Sequence, residues 1–222
     1  MKADVKYRDR LKGVSRRVAL LAVMVVALAM PQELYAQDPI ATLAATGRPG
    51  IGTLEVVSGT VTLERDGKAG PATTGDAVTV GDTILTDDKG RAVLSLGAST
   101  QVSIGSDTRF RVDHFAPGED GAFTLGEGAM LYTRSARGQQ PPVSFAAPFG
   151  AVEGRAGRFF IGRVEGQYGV AVMRGRVKVV VGGGAVNLEP GDAADIPRNG
   201  SAPTAAQPWS EARLRLALSL VE

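Results

Sequence analysis

The chain has no cysteine and a single histidine among its 222 residues. Without thiols there is no disulfide, no thiolate metal site, no cysteine nucleophile and no lipid-bearing N-terminal cysteine. One imidazole cannot make a His-rich metal centre. In Val112-Asp113-His114-Phe115, His114 reads as a solvent-exposed or turn-capping residue at a strand end. Aromatic residues are scarce at 5%, with one tryptophan, Trp209, too few for a stacked carbohydrate platform. Neither sign of charge dominates: the net charge is +2. The first 17 residues supply the excess, because Lys2, Lys6, Arg8, Arg10, Lys12, Arg16 and Arg17 outweigh Asp4 and Asp9. Nucleic acid is therefore not an expected partner. Nor does any apolar run reach the ~20 residues that cross a bilayer comfortably.

The N-terminus nevertheless has a clear layout. A basic stretch leads into the uncharged run 18–30, then Pro31 and the small-residue site Leu34-Tyr35-Ala36 before Gln37. This is the order of a secretory signal over residues 1–36, and it places the mature chain in the periplasm or outside the cell. Ser15-Arg16-Arg17-Val18-Ala19-Leu20 resembles a twin-arginine signal, with Ala19 where that pattern prefers a bulky aromatic, so both export routes stay open. The rival reading is an uncleaved leader that anchors an envelope sensor in the inner membrane, the only membrane contact expected.

Residues 37–51 form a turn-rich linker, and from Gly52 the apolar period becomes two. Gly59-Thr60-Val61-Thr62-Leu63, Val78-Thr79-Val80, Ala92/Leu94/Leu96, Val102/Ile104 and Phe110/Val112 alternate as half-buried strands do. The 29 glycines and the pairs Asp66-Gly67, Gly75-Asp76, Gly81-Asp82 and Lys89-Gly90 supply the turns between them. Gly182-Gly183-Gly184 reads as a hairpin turn, since no GK[ST] follows it. A soft break at 135–142 divides two related runs of strands. The expected fold is all-β, with many short strands in two related lobes over residues 52–197. The arrangement is a twisted β-helix or solenoid, with a β-sandwich as alternative. In the tail, 198–222, Trp209 to Glu222 has helix-forming composition but leucines that alternate at 214, 216, 218 and 220; a short helix is expected.

The order of these signals resembles the FecR domain. Gly59-Thr60-Val61 through Gly75-Asp76, Val80-Gly81-Asp82-Thr83-Ile84-Leu85-Thr86, Ala92 to Leu96 and Ser99 to Ile104 follow its G-x-V strand, GD-x-(I/L)-x-T turn and succeeding strands. Val143 to Pro148, Phe159-Phe160, Gly169 to Val172 and Gly175 to Val179 resemble its later strands. Gly157-Arg158 and Arg174-Gly175 depart from the family's G-T and E-G pairs. The resemblance implies a periplasmic sensor-like module. Membrane-spanning members couple an iron-siderophore receptor to a sigma factor through a cytoplasmic domain, and the 17 residues before the apolar run are too few to fold into one.

No constellation suited to catalysis is legible, so a non-enzymatic protein is expected, with no cofactor and no metal. Asp76, Asp82, Asp87, Asp88 and Asp107 read as turn-capping carboxylates; a Ca²⁺-stabilised surface protein built on Asp87-Asp88 is the lesser alternative. Phe145, Phe149, Phe159 and Phe160 read as core. Arg155, Arg158, Arg163, Arg174 and Arg176 concentrate charge on the second lobe. With Phe159 and Ile161 inward, Arg158 faces out and the five form a candidate partner-binding stripe for an envelope protein or polymer. Exposed strand edges offer a second way to bind, by strand addition.

Overall fold

The structure is a computed structural model that describes residues 49–135, 140–197 and 201–222. The leader, its twin-arginine pair and most of the linker lie outside these residues, as does the middle of the 135–142 break.

All fifteen strands belong to one curled sheet. Its spine is a pair of 15-residue strands, β12 (Gly150–Val164) and β13 (Gln167–Val181), joined by the two-residue turn Glu165-Gly166, both at positive φ. Two arms leave β12. One runs through β11 (Val143–Ala147), β9 (Gly121–Glu127), β8 (Arg109–Phe115), β5 (Thr83–Thr86), β2 (Val61–Arg65) and β3 (Lys68–Pro71). The other runs through β10 (Ala129–Arg134), β7 (Thr100–Ile104), β6 (Arg91–Leu96), β1 (Gly52–Ser58) and β4 (Ala77–Val78). The chain crosses repeatedly from arm to arm, so strands near in sequence face each other across the interior. Every pairing is antiparallel except β9 with β11. Strands on both sides of the 135–142 break share the sheet, since β11 pairs β9 and β12 pairs β10. Beyond β13 lie β14 (Gly184–Leu188) and β15 (Ala193–Ile196), each paired with one half of it.

The period-two pattern decides which face is inside. Val61, Leu63 and Arg65 of β2 are buried while Thr62 and Glu64 are less so, and β6 and β8 alternate in the same way. The inward residues form one hydrophobic core. Its centre is an aromatic series: Phe110 stacks on Phe123 at 5.6 Å, Phe123 on Phe145 at 5.2 Å, and Phe145 meets Phe159 edge-on at 5.7 Å. Such ring pairs add to the burial of apolar area itself.

One turn occurs three times. In Thr73-Thr74-Gly75-Asp76, Thr79-Val80-Gly81-Asp82 and Glu189-Pro190-Gly191-Asp192, glycine takes φ of 99°, 93° and 95°. Each aspartate carboxylate accepts from the main-chain N–H three residues earlier, at 2.7, 2.7 and 3.0 Å. Each turn also exchanges two main-chain hydrogen bonds with a core strand, at Leu54, Val112 and Val172. The glycine is needed because an L side chain resists this φ. Among the described residues, Asp82 alone of the three accepts side-chain hydrogen bonds from a buried arginine. Its carboxylate is gripped by Arg65, Nε to Oδ1 at 2.8 Å and Nη2 to Oδ2 at 2.6 Å, with both side chains fully buried. The pair ties β2 to the turn before β5.

At the C-terminus the helix prevails over the leucine alternation. Helix α1 (Glu211–Ser219) starts at Ser210, whose Oγ accepts from the Arg213 N–H at 3.3 Å, and has Glu211 in its first turn. Leu214 and Leu218, one turn apart, pack on the sheet, whereas Leu216 is 41% exposed. The helix covers Phe160 and Ala171 on the outer face of the spine.

A basic outer face on the spine

Since Val152, Val177 and Val179 point into the core, the residues between them point out. Glu153, Lys178 and Asn187 stand opposite one another across β12, β13 and β14. Beside them, where β12 is irregular between Gly154 and Gly157, lie Arg155 and Arg176. Gly154, Gly157 and Gly175 permit this irregularity: a Cβ at Gly157 would sit 2.2 Å from the Arg174 carbonyl oxygen. The result is a groove of about 620 Å³, with Arg155, Arg176 and Lys178 against Glu153 and Glu189. Arg155 donates to the Gln140 carbonyl at 3.1 Å. The Arg176 and Glu189 side chains approach to 3.3 Å while 83% and 63% exposed, so their attraction is largely screened by solvent.

The structure thus brings together Arg155 and Arg176 of the five expected arginines. Arg158 stands opposite Arg174 in the β12–β13 register, a juxtaposition of like charges that Glu222 relieves by pairing with Arg158. Arg158 lies on the face of Phe160, away from Phe159 and Ile161, which are in the core. Arg163 stands apart, at the far end of β12, with its guanidinium 4.8 Å from the centre of the Tyr168 ring. There it lines a smaller polar depression with Asp107 and Glu127. Burial pushes the Tyr168 hydroxyl above its ordinary value; Arg163 opposes the rise and Glu127 adds to it. Lys178 was not among the expected residues, although its alternation with Val177 and Val179 marks it as outward.

Several of the remaining candidates have local structural partners. His114 lies 3.4 Å from Asp120 with its side chain half exposed. Asp87 accepts from the Lys89 N–H at 3.1 Å, and its carboxyl is held below the ordinary value chiefly by a hydrogen bond with the Thr60 side chain. Asp82 caps its turn as expected but is also half of the buried ion pair. Phe145, Phe159 and Phe160 are buried, and Phe149 is half-buried against Tyr168. Among the described residues no three His, Cys, Asp or Glu side chains gather as a metal-holding group.

Residues 82–178 match the family model described as FecR protein. That segment runs from the buried Asp82 to Lys178 and includes all five arginines. No curated protein matches the chain. Two crystal structures of a provisionally assigned anti-sigma factor from Parabacteroides distasonis ATCC 8503, at 1.65 and 2.50 Å, resemble it in fold. Each has a TM-score of 0.51 and 15% sequence identity, and the match covers 60% of this chain and 62% of that one. The chain thus spans about three-fifths of the length of those solved proteins.

Proposed function

From the premise that this chain carries a FecR-family domain over residues 82–178, we propose that it is a non-enzymatic sensor or regulatory module of a bacterial envelope, exported to the periplasm and acting by binding a partner. The family match carries this proposal. The fold shared with a provisionally assigned anti-sigma factor supports a regulatory role, and the spine groove supports binding, because guanidinium and ammonium groups on a solvated face pair readily with carboxylates or anionic polymers. The second reading, an inner-membrane sensor held by an uncleaved leader, draws on the apolar run 18–30.

Cell fractionation with N-terminal sequencing of the chain separates the two. A mature terminus at Gln37 in the soluble periplasmic fraction is the expected result, and intact residues 1–30 in the inner membrane would establish the anchored form instead. Changing Arg16 and Arg17 together to lysine abolishes export if the twin-arginine route is used, and undiminished export assigns the other route. The regulatory role is tested by comparing transcripts of strains with and without the chain. An altered sigma-factor-dependent set is expected; identical transcript profiles would overturn the role.

A further inference from the structure

Among the described residues, four strands pair on one side only, and three of these edges are protected. β3 is short and carries Lys68 and Pro71, which discourage further pairing. β4 has two residues. β15 is shielded by the chain's own tail, through Ala193 N–H to Gln207 O at 2.9 Å, Gln207 N–H to Ala193 O at 3.0 Å and Thr204 N–H to Asp195 O at 2.9 Å. The fourth edge, that of β14, contains no charge and no proline in Gly184-Ala185-Val186-Asn187-Leu188, and among the described residues the tail reaches β14 at Gly184, against which Ala202 packs, with no main-chain hydrogen bond to its edge.

Its free hydrogen-bonding groups follow from the turn that precedes it. The two-residue turn Gly182-Gly183 makes Val181 and Gly184 a hydrogen-bonded pair, and bonded and non-bonded pairs alternate from there. Ala185 opposite Val180 and Asn187 opposite Lys178 are non-bonded pairs, so their N–H and C=O groups point away from β13. No main-chain hydrogen bond among the described residues uses these groups. Both residues are exposed, and Asn187 forms one wall of the basic groove.

We propose that the β14 edge and the adjoining groove together bind an extended, acidic segment of a partner protein, which adds as a further strand with its carboxylates directed to Lys178 and Arg176 on β13, Arg155 on β12 adding only longer-range positive potential. This rests on the partner-binding reading above. A strand added there lies about 10 Å from β13, two strand spacings, a gap that extended lysine and glutamate side chains close between them. Three cations face Glu153 and Glu189, and Glu189 is already beside Arg176, so the surplus favours an acidic occupant. Edge pairing between two copies of this chain would bring the Lys178 and Arg176 rows together and is disfavoured by like charge.

The probe is a fluorescein-labelled peptide alternating threonine and glutamate, with a threonine-lysine peptide as its counterpart. The acidic peptide is expected to bind saturably, more weakly as salt rises, and to slow amide exchange at Ala185 and Asn187. Ala185→Pro removes an outward N–H that β13 does not use. It is expected to leave the melting temperature near that of the native chain and to weaken binding about tenfold. Lys178→Glu is expected to reverse the preference between the two peptides. Absence of binding, unchanged exchange at these two amides, or native affinity in both variants overturns the proposal. So does a dimer at micromolar concentration whose formation protects the same amides. The two readings fail separately. If deleting the chain alters transcription and a chain carrying both Ala185→Pro and Lys178→Glu restores it fully, the edge proposal is wrong and the regulatory role stands. If deletion changes nothing, the regulatory role itself is wrong.

Discussion

The buried pair of Arg65 and Asp82 offers the sharpest test of how this fold is held. Both side chains are fully buried, and the guanidinium makes two hydrogen bonds to the carboxylate and a third, from Nη2, to the Ala77 carbonyl at 2.8 Å. Asp82→Asn keeps the shape and a turn-capping oxygen but leaves a cation in the core. At an effective dielectric of about 20, the lost attraction is about 4 kcal/mol, in line with the ~3–5 kcal/mol observed when one member of a buried pair is removed. With a urea slope of about 2 kcal/mol per molar, the unfolding midpoint should fall by roughly 1.5–2.5 M. Asp76→Asn and Asp192→Asn are internal controls. They sit in the same turn with the same cap but make no hydrogen bond to a buried arginine, although the Asp76 charge acts on Arg65 from a distance; each should cost no more than about 1 kcal/mol, with Asp192→Asn the cleaner control. Replacing both partners, Arg65→Met with Asp82→Leu, removes the uncompensated charge and should recover most of the loss. Urea unfolding of the five proteins decides the matter. Equal destabilisation at Asp76, Asp82 and Asp192, or a double variant worse than Asp82→Asn, would refute the assignment of stability to this ion pair and leave the turn as its source.

Three further outcomes are expected. Phe145→Ala removes the ring between Phe123 and Phe159 and should cost about 3–5 kcal/mol in urea unfolding; a loss under about 1 kcal/mol would mean that the core collapses around the gap. Gly169→Val should shift Trp209 fluorescence to the red, because a Cβ at Gly169 would lie 2.4 Å from Trp209 Cζ2 and must displace that ring; an unchanged spectrum would place the tryptophan elsewhere. The Asp87 carboxyl is held below its ordinary value of 3.8, with the Thr60 hydrogen bond as the largest cause. A depressed folded-state pKa gives stability that is present above pH 3.8 and lost as pH falls through the folded value. Thr60→Val should therefore be less stable than the native chain at pH 6 by a margin that shrinks on acidification, and a margin independent of pH would contradict this.

Much of the fold follows from short-range pattern. Alternation in β2, β6 and β8 marks the inward residues, and each Gly-Asp pair marks a turn because only glycine enters that φ easily while the adjacent carboxylate caps the N–H behind it. The helix was the harder case. Leucines at every second position suit a strand, but Ser210 and Glu211 start a helix, and Leu216 then accepts exposure while Leu214 and Leu218 pack. At the candidate site, alternation correctly turns Arg158 away from the core. It does not tell which arginines meet, because that depends on the β12–β13 register and on the irregularities at Gly154, Gly157 and Gly175.

By itself, then, the sequence determined the strand class, the turns, the buried side of each strand and the FecR resemblance, all of which arise from contacts within a few residues. Only the tertiary structure decided that Asp82 meets Arg65, that Arg163 stands apart from the other arginines, that Lys178 joins the groove, and that the described part of the tail bonds the β15 edge but not the β14 edge. Each of these depends on segments brought together from many residues apart, where many pairings satisfy the same alternation and only the packing of the whole core selects one.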